Sequence, residues 1–189
     1  MTLGTYAVET NAKSYVNRLF IFLTSSMGAW AFALSLATSA PTAEESAFWR
    51  CVSVFGWGVY YSIFLHFVLI LTRFDRKLNN NIMLLAIYLP ALINVILFAP
   101  FGILAESQYQ LVESDFGWVN VLPAGAGRLW LIAYYLIFSL ISIVLLVYWW
   151  AKLKPGDPQK RYAGNFILSI LTASLLGLLT DTVPDLIGI

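Results

Sequence analysis

Five long apolar stretches run through the chain, separated by short polar ones: Leu19 to Ser39, Trp49 to Thr72, Ile82 to Leu104, Leu129 to Ala151, and Ala163 to Thr180. As helices, each is long enough to cross a hydrocarbon core of roughly 30 Å at about 1.5 Å per residue, the last only just. A barrel strand would need about ten residues of strict alternation, and the run from Leu131 to Trp150 does not alternate. The pattern predicts an all-α fold, a polytopic membrane helix bundle forming one domain over residues 1–189. Its five transmembrane helices fall at about 19–39, 49–72, 82–104, 129–151 and 163–180, with a long loop at 105–128.

Charges between the stretches alternate in sign. Lys13, Arg18, Arg73, Arg76, Lys77, Lys152, Lys154, Lys160 and Arg161 lie in the first, third and fifth flanks. Glu44, Glu45, Glu106, Glu113, Asp115, Asp181 and Asp185 lie in the second, fourth and sixth. Of the 11 Lys and Arg, only Arg50 and Arg128 fall on the acidic side, at helix ends from which they can snorkel to headgroups. By the positive-inside rule the basic side is cytoplasmic, which puts the N-terminus inside and Asp181 to Ile189 outside or re-entering. The expected location is the inner (cytoplasmic) membrane, as a multi-pass protein. Trp49 and Trp130 then mark the outer boundary, and Tyr148, Trp149 and Trp150 the inner one.

Composition agrees. The chain is 60% hydrophobic and 11% charged, against about 25% charged in soluble domains. A net charge of +1 gives no reason to expect nucleic acid as a partner. Cys51 is the only cysteine, so no intrachain disulfide forms, and it reads as a small apolar filler. Lys13, Arg18, an apolar run and "ATSA" imitate a signal peptide, but the run of about twenty residues exceeds the 7–15 of a signal core. A retained first helix is expected.

Small residues recur every four positions in two helices: Ser25, Ala29, Ala33, Ala37 in the first, and Asn165, Ser169, Ala173, Gly177, Asp181 in the last. Such rows suit close helix crossings in lipid. Pro90 interrupts the third helix, with Asn94 four residues on, placed either to cap a freed carbonyl or to face a cavity. The loop at 105–128 is acidic and carries Tyr109, Phe116, Trp118 and Val119; it is either a functional element or a connector.

No catalytic, cofactor or metal signature emerges. "GWG" at Gly56 to Gly58 and "GAG" at Gly125 to Gly127 lack the strand–turn–helix context of a nucleotide loop. The single histidine, His66, excludes a multi-histidine metal site and lies away from the acids that a triad would need. Ser62, one turn earlier, could hydrogen-bond it. His66 is then either a neutral core histidine or a pH- or ligand-sensing group. Trp57, Tyr60, Tyr61 and Phe64, with Tyr134 and Tyr135, either pack together or line an apolar pocket with polar tips.

The order of "NAKSYVNRLFIFLTSSMGAWAF", "AFWRCVSVFGWGVYYSIFLHFVLILT", "IYLPALINVILF", Gly117–Trp118, "KPGDPQKRYAGNFILS" and "LTDTVPDLIGI" resembles the N-terminal seven-helix sensor region of bacterial membrane histidine kinases. The same region precedes diguanylate cyclase modules. The resemblance covers nearly the whole chain. It implies that helices two to six of seven are present, without the first, the last, or a kinase or cyclase module, as in a truncated or fragmentary gene. It also implies a sensor input domain rather than an enzyme. That domain takes an external or membrane-borne small ligand in the outer half of the bundle and passes a helix movement to a cytoplasmic output module. Partners are the lipid bilayer, that ligand, the output module and a second copy in a homodimer. Residues expected near the ligand are Trp57, Tyr60, His66, Asn94, Trp118, Arg128 and Asp181, of which Arg128 and Asp181 could pair. The alternative is a small transporter or channel subunit, although five spans give no even inverted repeat.

Overall fold

The computed structural model describes residues 14–74, 80–105, 109–115, 117–120 and 125–181. The elements run α1 (Tyr15–Thr38), α2 (Ala43–Val52), α3 (Val54–Leu71), α4 (Asn80–Phe98), β1 (Leu111–Ser114), β2 (Gly117–Asn120), α5 (Ala126–Lys152) and α6 (Pro158–Asp181). By length and composition four helical stretches suit a membrane crossing: Tyr15–Thr38, Ala43–Leu71, Asn81–Phe98 and Ala126–Lys152. With α6 as a fifth long helix, the fold is the expected all-α membrane bundle.

The chain divides into two compact units at residue 141. In the first, α1 packs on α3, α3 on α4, and α1 on α2, while the β1–β2 hairpin touches α1 and α2. The core is mostly apolar, but it takes in polar side chains and leaves large apolar ones outside. Ser62, Asn94 and Ser46 are wholly buried, while Phe22, Phe32, Ile82, Leu85, Leu92 and Leu140 are among the most exposed side chains. Apolar side chains turned outward along whole helices require a solvent as apolar as themselves, which is lipid.

The ends of the elements follow from local chemistry. Thr42 caps α2 by accepting from Glu45 N at 3.2 Å, and Glu44 and Glu45 place negative charge in the first turn. The second apolar stretch therefore begins at Ala43 rather than Trp49. A turn at Ser53, whose hydroxyl donates to Arg50 O at 2.6 Å, separates α2 from α3. At the end of α3, Arg73 takes a left-handed φ of 59° and Phe74 N donates back to Leu69 O at 2.9 Å. That closes the helix as glycine usually does, here with a cation at the negative end of the dipole. α4 stops at Phe98, short of the expected Leu104, because Pro100 disfavours helix before it. The chain from Ala99 folds back instead, with Leu104 N on Leu97 O at 2.8 Å.

The helices α1 and α3 cross closely. A Cβ on Gly56 would lie 2.6 Å from Ser26 O and 2.6 Å from Trp30 N, so backbone meets backbone there. The glycine pair of "GWG" thus has a packing role: Gly56 faces α1, while Gly58 lies against Asn94 of α4. Of the small-residue row on α1, Ala33 and Ala37 are buried but Ser25 and Ala29 are exposed. A step of four drifts about 40° around a straight helix, so the row leaves the interface within two turns.

In the second unit α5 and α6 are joined by a tight turn. Asp157 N donates to Lys154 O at 3.2 Å, with Pro155 second and Gly156, at φ 87°, third. This is the glycine-requiring type II turn. Asp157 Oδ1 then accepts from Gln159 N at 2.8 Å and Pro158 opens α6, a cap followed by proline at the first helical position.

Candidate functional site

Three buried polar side chains of the first unit, Ser62, His66 and Asn94, gather at one face of α3. Gly58, Ser62 and His66 are spaced by four residues, so they stack along one side of the helix. That side meets α4 and α5. Asn94 Nδ2 donates to Gly58 O at 2.8 Å, and Asn94 Oδ1 accepts from Trp130 Nε1 at 2.7 Å. Since the indole is a donor only, it fixes which end of the amide is oxygen.

One turn along, Ser62 Oγ donates to Ile87 O at 2.6 Å and lies 2.9 Å from the Tyr134 hydroxyl. Ser62 has spent its proton on Ile87, so the Tyr134 proton is shared between Ser62 Oγ and Gly58 O, the latter at 3.1 Å. The same hydroxyl accepts from Ser62 N at 3.1 Å. A side chain of α5 is therefore inserted at one turn of the α3 backbone. On α4 the acceptor, Ile87 O, neighbours the carbonyl of Ala86, which Pro90 deprives of its helical N–H donor.

At the third position His66, 2% exposed, shares a 2.8 Å hydrogen bond from Nδ1 with the Tyr88 hydroxyl. The Tyr15 ring of α1 stands edge-on to it at 5.7 Å. The expected Ser62–His66 bond is replaced by partners on other helices.

A second polar cluster fastens the hairpin. Trp118 Nε1 donates to Ala40 O at 2.9 Å, Arg50 Nη2 donates to the Trp118 carbonyl at 2.6 Å, and the Tyr109 hydroxyl donates to Arg50 O at 3.2 Å. Gly117, at φ 95°, rests so closely on the Thr38 carbonyl that a Cβ would collide with it. Arg50 thus holds a loop rather than reaching for headgroups. Its Nε and the hydroxyl of Ser46, one turn earlier on α2, are buried and find no hydrogen-bond partner among the described residues. Burial pushes the Tyr109 phenol well above its ordinary pKa; neighbouring Cys51 adds to this, and Arg50 pulls it partly back.

The expected site residues separate into groups. His66 and Asn94 belong to the α3 face, and Trp118 to the hairpin clamp. Trp57 bonds Ser53 Oγ at 3.1 Å and packs on Phe98 at 5.8 Å, above that face. Tyr60 stacks on Phe64 at 6.1 Å and meets Tyr61 edge-on at 5.1 Å. Tyr61 in turn touches Tyr134 and Tyr135, so part of the expected aromatic group does assemble. Arg128 lies in the first turn of α5. The side chain of Asp181, and with it the Arg128 pairing, lies outside the described residues. As site residues, sequence reasoning missed Tyr88, Trp130, Arg50 and the hydrogen-bonding role of Tyr134, reading Trp130 as a boundary marker and Arg50 as a headgroup cation. The available signal was their polar tips within or beside apolar helices. Among the described residues, no three His, Cys, Asp or Glu side chains gather as a metal site.

One family model, described as the N-terminal 7TM region of histidine kinase, matches residues 1–186. No curated protein and no solved structure matches the chain.

Proposed function

The chain belongs to the family of N-terminal 7TM regions of histidine kinases, and on that premise we propose that it is a noncatalytic signal-input domain. It receives an external or membrane-borne small ligand and passes a helix displacement to a cytoplasmic kinase or cyclase module. The observation that supports this is the polar face of α3. Asn94, Ser62 and His66 tie it to α1, α4 and α5 through side chains buried among apolar helices. Such side-chain bonds can be exchanged at small cost, about 0.6 kcal/mol each in membranes. Two arrangements of the helices can therefore lie close in energy, and a ligand shifts them only by what it binds differently.

The hairpin end is the ligand-facing side and the α5–α6 turn is cytoplasmic, in keeping with the basic residues of that turn. A reporter fused after Asp157 should be active as a cytoplasmic marker and silent as a periplasmic one. Joined to a histidine-kinase module, the chain should set its autophosphorylation level. Tyr134→Phe and Asn94→Ala should each move that level several-fold without loss of protein from the membrane. Unchanged autophosphorylation in both would refute the sensor reading, and solute flux in vesicles would favour the transporter alternative.

A further inference from the structure

The turn between α5 and α6 concentrates charge of one sign. Lys152, Lys154, Lys160 and Arg161 are offset only by Asp157, whose carboxylate already accepts from Gln159 N. Lys160 Nζ donates to Leu153 O at 3.0 Å and lies 5.0 Å from the centre of the Trp150 ring, which fixes its ammonium beside the end of α5. Arg161 is exposed. Both cations line a shallow cleft of about 460 Å³ together with Gly156, Asp157, Pro158 and Tyr162.

The level of this cleft follows from helix length. α5 has 27 residues and spans about 40 Å at 1.5 Å per residue, against a core of roughly 30 Å. Its end therefore stands in the headgroup layer. The aromatic side chains there are amphipathic and open: Tyr148 is 42%, Trp150 39% and Tyr162 71% exposed. Such rings settle at the headgroups. The anion that this layer supplies at the height of Arg161 is a phosphodiester.

We propose that the cleft at the α5–α6 turn binds the phosphate of an anionic phospholipid, with Lys160 and Arg161 as the charged donors and Tyr162 against the headgroup. The proposal rests on the membrane reading of the helices and is independent of signalling, so the kinase-fusion experiment and this one fail separately.

The test uses the full chain in nanodiscs of mixed phosphatidylglycerol and phosphatidylcholine, transferred to detergent, with retained lipid counted by native mass spectrometry. Phosphatidylglycerol should be retained preferentially. Each cation near the surface contributes about fivefold to such binding, so Lys160→Gln with Arg161→Gln should lower retention by about 30-fold. Lys160→Arg with Arg161→Lys, which keeps the charge, should retain the lipid and show that the turn still folds. Equal retention of the two lipids, or undiminished retention in the glutamine pair, would overturn the proposal. Displacement of the lipid by millimolar inorganic phosphate would overturn the lipid as the source of the anion.

Discussion

Replacing Asn94 by alanine removes two hydrogen bonds at once, and the two losses are unequal. Gly58 O loses the amide donor at 2.8 Å but keeps the Tyr134 hydroxyl at 3.1 Å. That loss should sit near the membrane average of about 0.6 kcal/mol. Trp130 Nε1 loses its 2.7 Å acceptor, and an indole N–H accepts nothing in return. A stranded donor in the apolar interior belongs at the upper end, about 1.7 kcal/mol. Asn94→Ala should then destabilise the chain by about 2 kcal/mol. In a Trp130→Phe background no donor is stranded, and the same change should cost only about 0.6 kcal/mol. Steric-trap unfolding in bicelles on the four variants of this cycle measures the difference. Equal costs in both backgrounds, within the roughly 0.5 kcal/mol expected of independent sites, would refute the bond as the link between α4 and α5.

Other outcomes follow from single residues. Gly56→Ala should push α1 from α3 and abolish the cooperative melt in detergent, since the added carbon meets backbone at 2.6 Å. Gly28→Ala, with nothing within 4 Å, should instead raise stability by up to about 1 kcal/mol through helix propensity. Gly117→Ala should cost at least 1–3 kcal/mol of hairpin docking from its left-handed φ alone, read as faster proteolysis between β1 and β2. The raised pKa of Tyr109 favours the protonated phenol in the folded loop. Its contribution is present below the ordinary tyrosine pKa of about 10 and is lost as pH rises through the higher folded value. Tyrosinate absorbance should show a late-titrating group that Tyr109→Phe removes; a titration unchanged by that substitution would refute it.

The helices were legible in the sequence because apolar length alone announces them. Their ends were less so: Thr42 and Pro100 moved two boundaries through a cap and a steric clash that hydropathy does not register. The candidate site was half legible. His66 and Asn94 stood out as polar groups in apolar helices; His66 lies on the buried face of α3, and Asn94 of α4 docks against it. Their partners Tyr88 and Trp130 did not stand out, because an amphipathic ring reads equally well as packing or as a boundary anchor, and Trp130 comes from a helix distant along the chain. Local spacing allowed a Ser62–His66 bond, whereas the Ser62 hydroxyl donates to Ile87 O on α4. The hairpin over α1 and α2 escaped because its two four-residue strands are too short to show a pattern.

Gly56 has a mechanical consequence. With the backbones of α1 and α3 in direct contact, neither helix can slide or turn against the other without driving the glycine into Ser26 or Trp30. The pair is a rigid rail. α5, by contrast, is held to that rail and to α4 through Trp130 and Tyr134, bonds that rotate and re-form. Under the proposed signal-input reading the moving helix is α5, which runs on past residue 141.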